Sequence, residues 1–296
     1  MDTRQLEYFV AVAEELSFSH AAVRLFVAQS TVSAGVGSLE RELGARLFDR
    51  SSKAVALTAA GSALLPEARH AIESMDRVRN AVALSEAEIR GRLRIGTFIS
   101  LDSIDLPQLL GEFHQRHPLV DMQLIASPSG STGLLDEVRQ GRADVAFMGL
   151  PSRELTGLHV VELARSSFVA VLPMSHPLAA ATSVDVADLA GERWIDAPRG
   201  YASRAVLDGL FRNRGLERII SAEVADAGEI PRLVAAGLGV AVIPELIYRA
   251  APGVDIRRVK QYGLEFVVSV ISRVNPTPAA SAFLNLIGER GENSLK

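Results

Sequence analysis

The 296-residue sequence contains no cysteine. That excludes disulfides, thiolate metal sites, cysteine nucleophiles and thiol-based redox sensing. No apolar run approaches the roughly 18 uninterrupted residues that a membrane-spanning helix needs. The apolar stretch that ends at Leu16 is interrupted by Asp2, Glu7, Glu14 and Glu15, unlike the uncharged centre of a secretory leader. The expectation is a cytoplasmic protein with no membrane partner. A positive balance is missing too, since the formal net charge is −4. Residues 1–58 set Arg4, Arg24, Arg41, Arg46, Arg50 and Lys53 against Asp2, Glu7, Glu14, Glu15, Glu40, Glu42 and Asp49. Any binding to nucleic acid must therefore rest on where the basic residues sit, not on their number.

Catalytic signatures are absent as well. The chain has no GxSxG elbow, Walker loop, HExxH or strand-borne GxGxxG. The histidines, among them His114, His117, His159 and His176, are scattered and form no HxxxH pair. The reading is a non-enzyme with no cofactor and no metal.

What is present is a change of hydrophobic period along the chain. Leu6, Phe9, Val10, Ala13 and Leu16 recur at helical spacing. A short second helix through Ala21, Ala22 and Leu25 is expected, with Ser19 as its cap. A third helix is predicted from about Gln29 to Leu43, with Val32, Val36 and Leu39 on its buried stripe and Gly44 at its end. An extended pair around Arg50–Lys53 reads as a β-wing. From about Thr58 to Glu88 one long helical pattern follows. Leu65, Ala68, Ile72, Met75 and Val82 fall near a 3.5-residue repeat, which suggests pairing with a second copy, and Pro66 predicts a kink. From Gly91 onward, strands alternate with amphipathic helices in two successive runs. That pattern indicates an α/β fold with mostly parallel sheets, in two lobes with a cleft between them.

The first three helices match the requirements of a helix-turn-helix, in which the second helix of the motif enters the major groove. Gln29, Ser30, Ser33, Ala34, Gly37 and Arg41 lie opposite the buried stripe. Gln29 suits adenine, and Ser30, Thr31 and Ser33 suit base edges or phosphates. Periodicity alone serves an ordinary three-helix bundle with a polar face equally well.

The run LEYFVAVAEELSFSHAAVRLFVAQSTVSAGVGSLERELGARLFDRSSKAVALTAAG strongly resembles, without a gap, the winged helix-turn-helix of LysR-type transcriptional regulators. LRIGTF, LPQLLGEFHQRHP, PSGSTGLLDEVRQGRADVAFMG and AAGLGVAVIPE resemble that family's effector-binding domain. The resemblance implies an all-α winged helix-turn-helix over 1–58 and a linker helix for dimerisation over 59–90. It implies a periplasmic-binding-protein-like effector domain over 91–296, with lobe I at about 91–162 and 267–296 and lobe II at about 163–266. The implied partners are double-stranded operator DNA, a small-molecule effector of anionic character, RNA polymerase, and further copies of the chain in a homodimer or homotetramer. The implied DNA-binding residues are Ser19, His20, Gln29, Ser30, Thr31, Ser33, Ala34, Arg41, Arg50 and Lys53.

There are departures from the family pattern. Ala28 replaces a common serine and removes a hydroxyl cap worth roughly 1 kcal/mol. Gly35 and Gly37 each cost a helix roughly 1 kcal/mol relative to alanine. His20 stands where arginine is frequent, which makes a backbone contact weaker and pH-sensitive. The recognition helix is thus bare, and affinity is expected to lean on the wing and on dimer contacts.

Ligands of open α/β sheets bind beyond the carboxyl ends of strands, near helix N-termini. That rule points to Ser100 and Asp102, to Ser129, Gly130, Ser131 and Thr132, to Gly149, and to Arg199, Tyr201 and Ser203. Ser131 and Thr132 are expected to offer hydroxyls beside free backbone N–H groups, although either could simply cap its helix. Arg199 and Arg204 could pair an anionic ligand, or lie solvated on a loop. Two other readings are a helix-turn-helix oxyanion sensor of the molybdate type and a solute-binding receptor.

Overall fold

The computed structural model describes residues 1–49, 55–83, 89–97, 105–260 and 264–293. Two compact units divide the chain, Met1–Ile89 and Arg90–Lys296.

The first unit is built from α1 (Thr3–Glu15), α2 (Phe18–Arg24), α3 (Gln29–Leu43), the strand pair β1 (Phe48–Asp49) and β2 (Ala56–Leu57), and α4 (Ala59–Ala83). Asp2 opens α1 in a capping box, accepting from the Arg4 N–H while Gln5 accepts from the Asp2 N–H. Ser17, not Ser19, caps α2. Its backbone is extended and its hydroxyl accepts from the His20 N–H at 3.3 Å, whereas Ser19 already lies inside the first turn. α3 starts after Ala28 with no side-chain cap and ends at Gly44 with φ +65°, as the sequence predicts. Phe9, Val12, Ala21, Val32, Val36, Leu39, Leu47 and Phe48 form a core from which water is almost fully excluded. Burial of each large side chain there contributes roughly 1.5–3 kcal/mol.

Gly35 has a packing role that its helix cost conceals. A Cβ at that position would stand 2.3 Å from the Tyr8 ring, so the glycine lets α1 and α3 approach. Gly37 meets nothing within 4 Å.

The apolar stripe of α4 divides its work. Ala68 is in the core of the first unit, and Leu65 and Ile72 pack against that core. These three do not wait for a second copy, as the repeat suggested. Farther along, the large apolar side chains of Met75 and Val78 are 43% and 60% exposed, and the side chain of Val82, also on the predicted stripe, lies outside the described residues. The helix continues through Pro66.

The second unit contains β3 (Gly91–Thr97), α5 (Leu106–Arg116), β4 (Val120–Ala126), α6 (Gly130–Arg139), β5 (Val145–Met148), β6 (Leu158–Pro173), β7 (Ser183–Val184), β8 (Arg193–Asp196), α7 (Ala202–Asn213), β9 (Ile219–Glu223), α8 (Ile230–Ala235), β10 (Ala241–Pro244), β11 (Val254–Val259), β12 (Glu265–Arg273) and α9 (Pro278–Asn293). The main sheet runs β4-β3-β5-β12-β6-β11-β7, with β10 also on β6. It is mixed rather than mostly parallel. β3 pairs in parallel with β4 and β5, but β12 and β6 run antiparallel to their neighbours. The cause is β6, sixteen residues long, which serves two half-sheets. Its Leu158–Ser167 half pairs with β12, while Phe168–Pro173 pairs with β10 and β11. The second half shows a continuous buried run, Phe168–Leu172, whereas the first half is only partly buried and carries Glu162, Arg165, Ser166 and Ser167 among its apolar residues. β8 and β9 form a separate parallel pair, and an isolated Trp194–Val240 bridge joins it to the residue just before β10.

Candidate nucleic-acid interface and effector site

On the first unit, Gln29, Ser30, Thr31, Ala34 and Arg41 are exposed along one side of α3, and Ser33 is half-buried. The Ala28 carbonyl accepts from Thr31 and Val32, and among the described residues nothing accepts the Gln29 and Ser30 N–H groups. Two donors are thus open at a helix N-terminus, one of which a cap hydroxyl could have taken, and the dipole there also favours an anion. Ser19 and His20 are exposed in the first turn of α2. The Arg41 Nε–H donates to the Gly37 carbonyl at 3.2 Å, so its guanidinium lies back along its own helix. Arg50 and Lys53, which the sequence assigns to the wing, lie outside the described residues.

Two residues that the sequence reading passed over hold this surface in shape. Glu40 accepts from the Leu47 N–H at 2.8 Å and the Phe48 N–H at 3.4 Å, which anchors the first wing strand to α3. The Thr58 hydroxyl donates to the Arg46 carbonyl at 2.7 Å and accepts from the Gly61 N–H at 3.0 Å. Thr58 directly before a helix is a cap signal legible in sequence; the Glu40 contacts are not. Behind them Glu14 joins Arg69 at 2.9 Å and Arg24 at 2.7 Å. Burial pushes the Glu14 carboxyl up, but the hydrogen bonds and charges of Arg69 and Arg24 outweigh it and hold its pKa below the ordinary value.

On the second unit, the N-terminus of α6 meets the loop before α7. The Thr132 N–H donates to the Gly200 carbonyl at 3.1 Å, and the Thr132 hydroxyl lies 3.2 Å from that same oxygen and 3.0 Å from the Ser129 carbonyl. Thr132 therefore does not present the free N–H expected of it. Ser131 is 4% exposed, and its hydroxyl meets no partner among the described residues. Ser129 occupies the cap position but its side chain makes no capping bond. Gly130 (φ +57°) and Gly200 (φ +94°) allow the interlock: a Cβ on the first would meet Tyr201 at 2.7 Å, and one on the second would meet the Ser129 carbonyl at 2.5 Å. Gly149 lies under the Phe266 ring and beside Ala202, with no room for a side chain. Ser203 is half-buried and Arg199 exposed, and neither has a partner among the described residues. Ser100 and Asp102 lie outside the described residues.

Arg204 is not available to a ligand. Its guanidinium is buried and donates to Asp208 at 3.0 Å, the Ala197 carbonyl at 2.9 Å and Glu223 at 3.1 Å. Asp196, 3% exposed, accepts from Arg218 at 2.6 Å, and Arg218 in turn covers the Phe211 ring at 4.7 Å. Burial pushes the Asp196 carboxyl above its usual range despite these two cations. The cluster fixes the strand end from which residues 197–201 reach α6. An i,i+4 pair of Arg204 and Asp208 was legible in sequence; their inward aim was not. An open cavity of about 920 Å³ lies along α7, and among the described residues Thr132, Arg199 and Arg204 of those expected to meet an effector line it, Arg204 with its guanidinium already held by Asp208, Glu223 and the Ala197 carbonyl.

Residues 3–62 match the bacterial regulatory helix-turn-helix protein, lysR family, and residues 86–292 match the LysR substrate binding domain. The chain is 38% identical over 268 residues to the HTH-type transcriptional regulator ShiR of Corynebacterium glutamicum, covering 90% of each protein. A full-length OxyR variant from Pseudomonas aeruginosa superposes with a TM-score of 0.78 at 25% identity, covering 99% of this chain and 95% of that one. Full-length CbnR complexed with its target DNA matches with a TM-score of 0.60 at 27% identity, over 98% and 100% of the two chains. A DNA-binding helix-turn-helix followed by an effector-binding domain is therefore the organisation of this protein, which belongs to the LysR family of transcriptional regulators.

Proposed function

We propose that residues 1–58 read operator DNA, 59–90 pair two copies, and 91–296 sense a small anionic effector that adjusts operator binding. The observation that carries the effector reading is the contact of Thr132 with Gly200. A main-chain oxygen there accepts from the N–H and faces the hydroxyl at a helix N-terminus, the pair of donors a carboxylate would use. An anion that takes over these donors releases the 197–201 loop from α6. Ser131 adds an unpartnered hydroxyl beside them, and Arg199 an exposed cation on the same loop. The ligand binds one arrangement more tightly than the other, and that difference is what shifts the equilibrium. With no cysteine in the sequence, ligand occupancy rather than thiol oxidation is the input.

On the DNA side, the open Gln29 and Ser30 N–H groups take a phosphate, while the exposed side chains of Gln29, Ser30, Thr31 and Ala34 face base edges. Met75 and Val78 on α4 supply apolar surface for a second copy, and membership of the family supports a cytoplasmic regulator that works with RNA polymerase. The test is Thr132→Val, which keeps shape and removes the hydroxyl. Carboxylates screened by thermal shift should stabilise the wild-type chain, and the variant should lose that response while still binding DNA. A variant that responds as the wild type does would refute the placement.

A further inference from the structure

The turn between α2 and α3 contains a residue that the fold does not explain. The Val27 N–H donates to the Ala22 carbonyl and the Phe26 N–H to the Val23 carbonyl, which closes α2 with a left-handed residue at position 26. That residue is phenylalanine, at φ +54°. Glycine or asparagine is the usual occupant of such a position, and a bulky side chain there is an outlier. Among the described residues nothing repays it, since Phe26 is 95% exposed, the most exposed of their large apolar side chains, and Val23 beside it is 74% exposed. Backbone strain combined with an exposed aromatic ring, at one turn of a DNA-binding motif, points to work done outside the folded chain.

We infer that Phe26 is an apolar DNA contact that packs on thymine methyl groups at the edge of the site read by α3. The inference rests on the reading of the α3 N-terminus as the DNA face, because Phe26 precedes Gln29 by three residues. The chain from Phe26 to Thr31 is exposed except at Val27, so the ring continues that surface. Its chemistry complements the helix it precedes. The N-terminal turn of α3 offers hydroxyls, an amide and open N–H groups but no cation, so it can position against phosphate and bond to base edges without supplying much apolar contact. The thymine methyl is the one apolar group that the major groove displays, and an aromatic ring suits it. A ring contact of this kind adds sequence preference without adding to the ionic part of binding.

The test uses the full-length chain and a duplex it selects from a random pool. Asn accepts the left-handed conformation, so Phe26→Asn should unfold at the same temperature as the wild type or higher, yet bind the selected duplex about tenfold more weakly. The salt dependence of binding should keep its slope. Replacing thymine by uracil in the duplex should weaken the wild type and leave Phe26→Asn unaffected. Gln29→Ala, measured alongside, separates the two levels of the argument. Normal binding by Phe26→Asn with weakened binding by Gln29→Ala overturns the role of Phe26 alone; normal binding by both overturns the α3 face as well. Weakened binding by Phe26→Asn with no uracil effect puts the ring on deoxyribose and overturns the thymine assignment. A pool that yields no duplex overturns the whole reading.

Discussion

Replacing Gly35 and Gly37 in turn by alanine should move the stability of the N-terminal unit in opposite directions, although both lie on α3. Alanine gains roughly 1 kcal/mol over glycine in a helix, chiefly from backbone entropy. At Gly37 that gain is unopposed, since an added Cβ has nothing within 4 Å. At Gly35 the same methyl group would stand 2.3 Å from Tyr8 Cδ2 and 2.9 Å from Cε2. Carbon atoms prefer about 3.5–4.0 Å, so the ring must move by roughly 1 Å. Tyr8 is 8% exposed and has packed neighbours in the core, so overpacking costs about 1–3 kcal/mol. Gly35→Ala should therefore fall about 1–3 kcal/mol below Gly37→Ala. In a Tyr8→Ala background the clash is gone and Gly35→Ala should become stabilising, a coupling of about 1–3 kcal/mol in the double-mutant cycle. Denaturant unfolding followed by hydrogen exchange at the α1 and α3 amides reads this unit. The single tryptophan, Trp194, lies in the other unit, and its fluorescence serves as an internal control. Equal stabilities for the two alanine variants, or additivity with Tyr8→Ala, would refute the packing argument.

The remaining expectations concern charge and association. The depressed pKa of Glu14 means that its ion pairs contribute stability above the unfolded-state pKa, which is lost as pH falls below about 4. Arg69→Ala should weaken the N-terminal unit at pH 6 and flatten its acid transition in a circular-dichroism pH titration; an unchanged transition would contradict the assignment. Arg204→Leu should cost the second unit about 1–3 kcal/mol, because Asp196 keeps Arg218 but loses the second cation, 3.7 Å away, and the Ala197 carbonyl loses its donor. Burial already raises the Asp196 pKa, so that loss should grow from pH 5 to pH 8, and Trp194 fluorescence melts at the two pH values check it. Met75→Lys combined with Val78→Lys should lower the apparent mass in analytical ultracentrifugation without shifting the melting temperature much; an unchanged mass would remove α4 from the interface.

What residue order alone determined was the succession of elements and the family. Val32, Val36 and Leu39 announced the buried side of α3, and Gly44 announced its end. The alternating strands and helices announced an α/β module, because periods of 3.6 and 2 are local properties of the chain. Composition contributed only exclusions. Tertiary structure decided which partner each polar group has, since that depends on residues far apart in sequence. It turned Gly35 from a helix defect into the seat of Tyr8, and moved the cap of α2 to Ser17. It spent Leu65, Ala68 and Ile72 on the protein's own core, and left Met75 and Val78 exposed. It made the sheet mixed, because one long strand serves two half-sheets. It also withdrew Arg204 into a buried ion cluster and closed the Thr132 N–H onto Gly200. A single sequence shows which groups can donate or accept, but only the packed fold shows which of them are already taken.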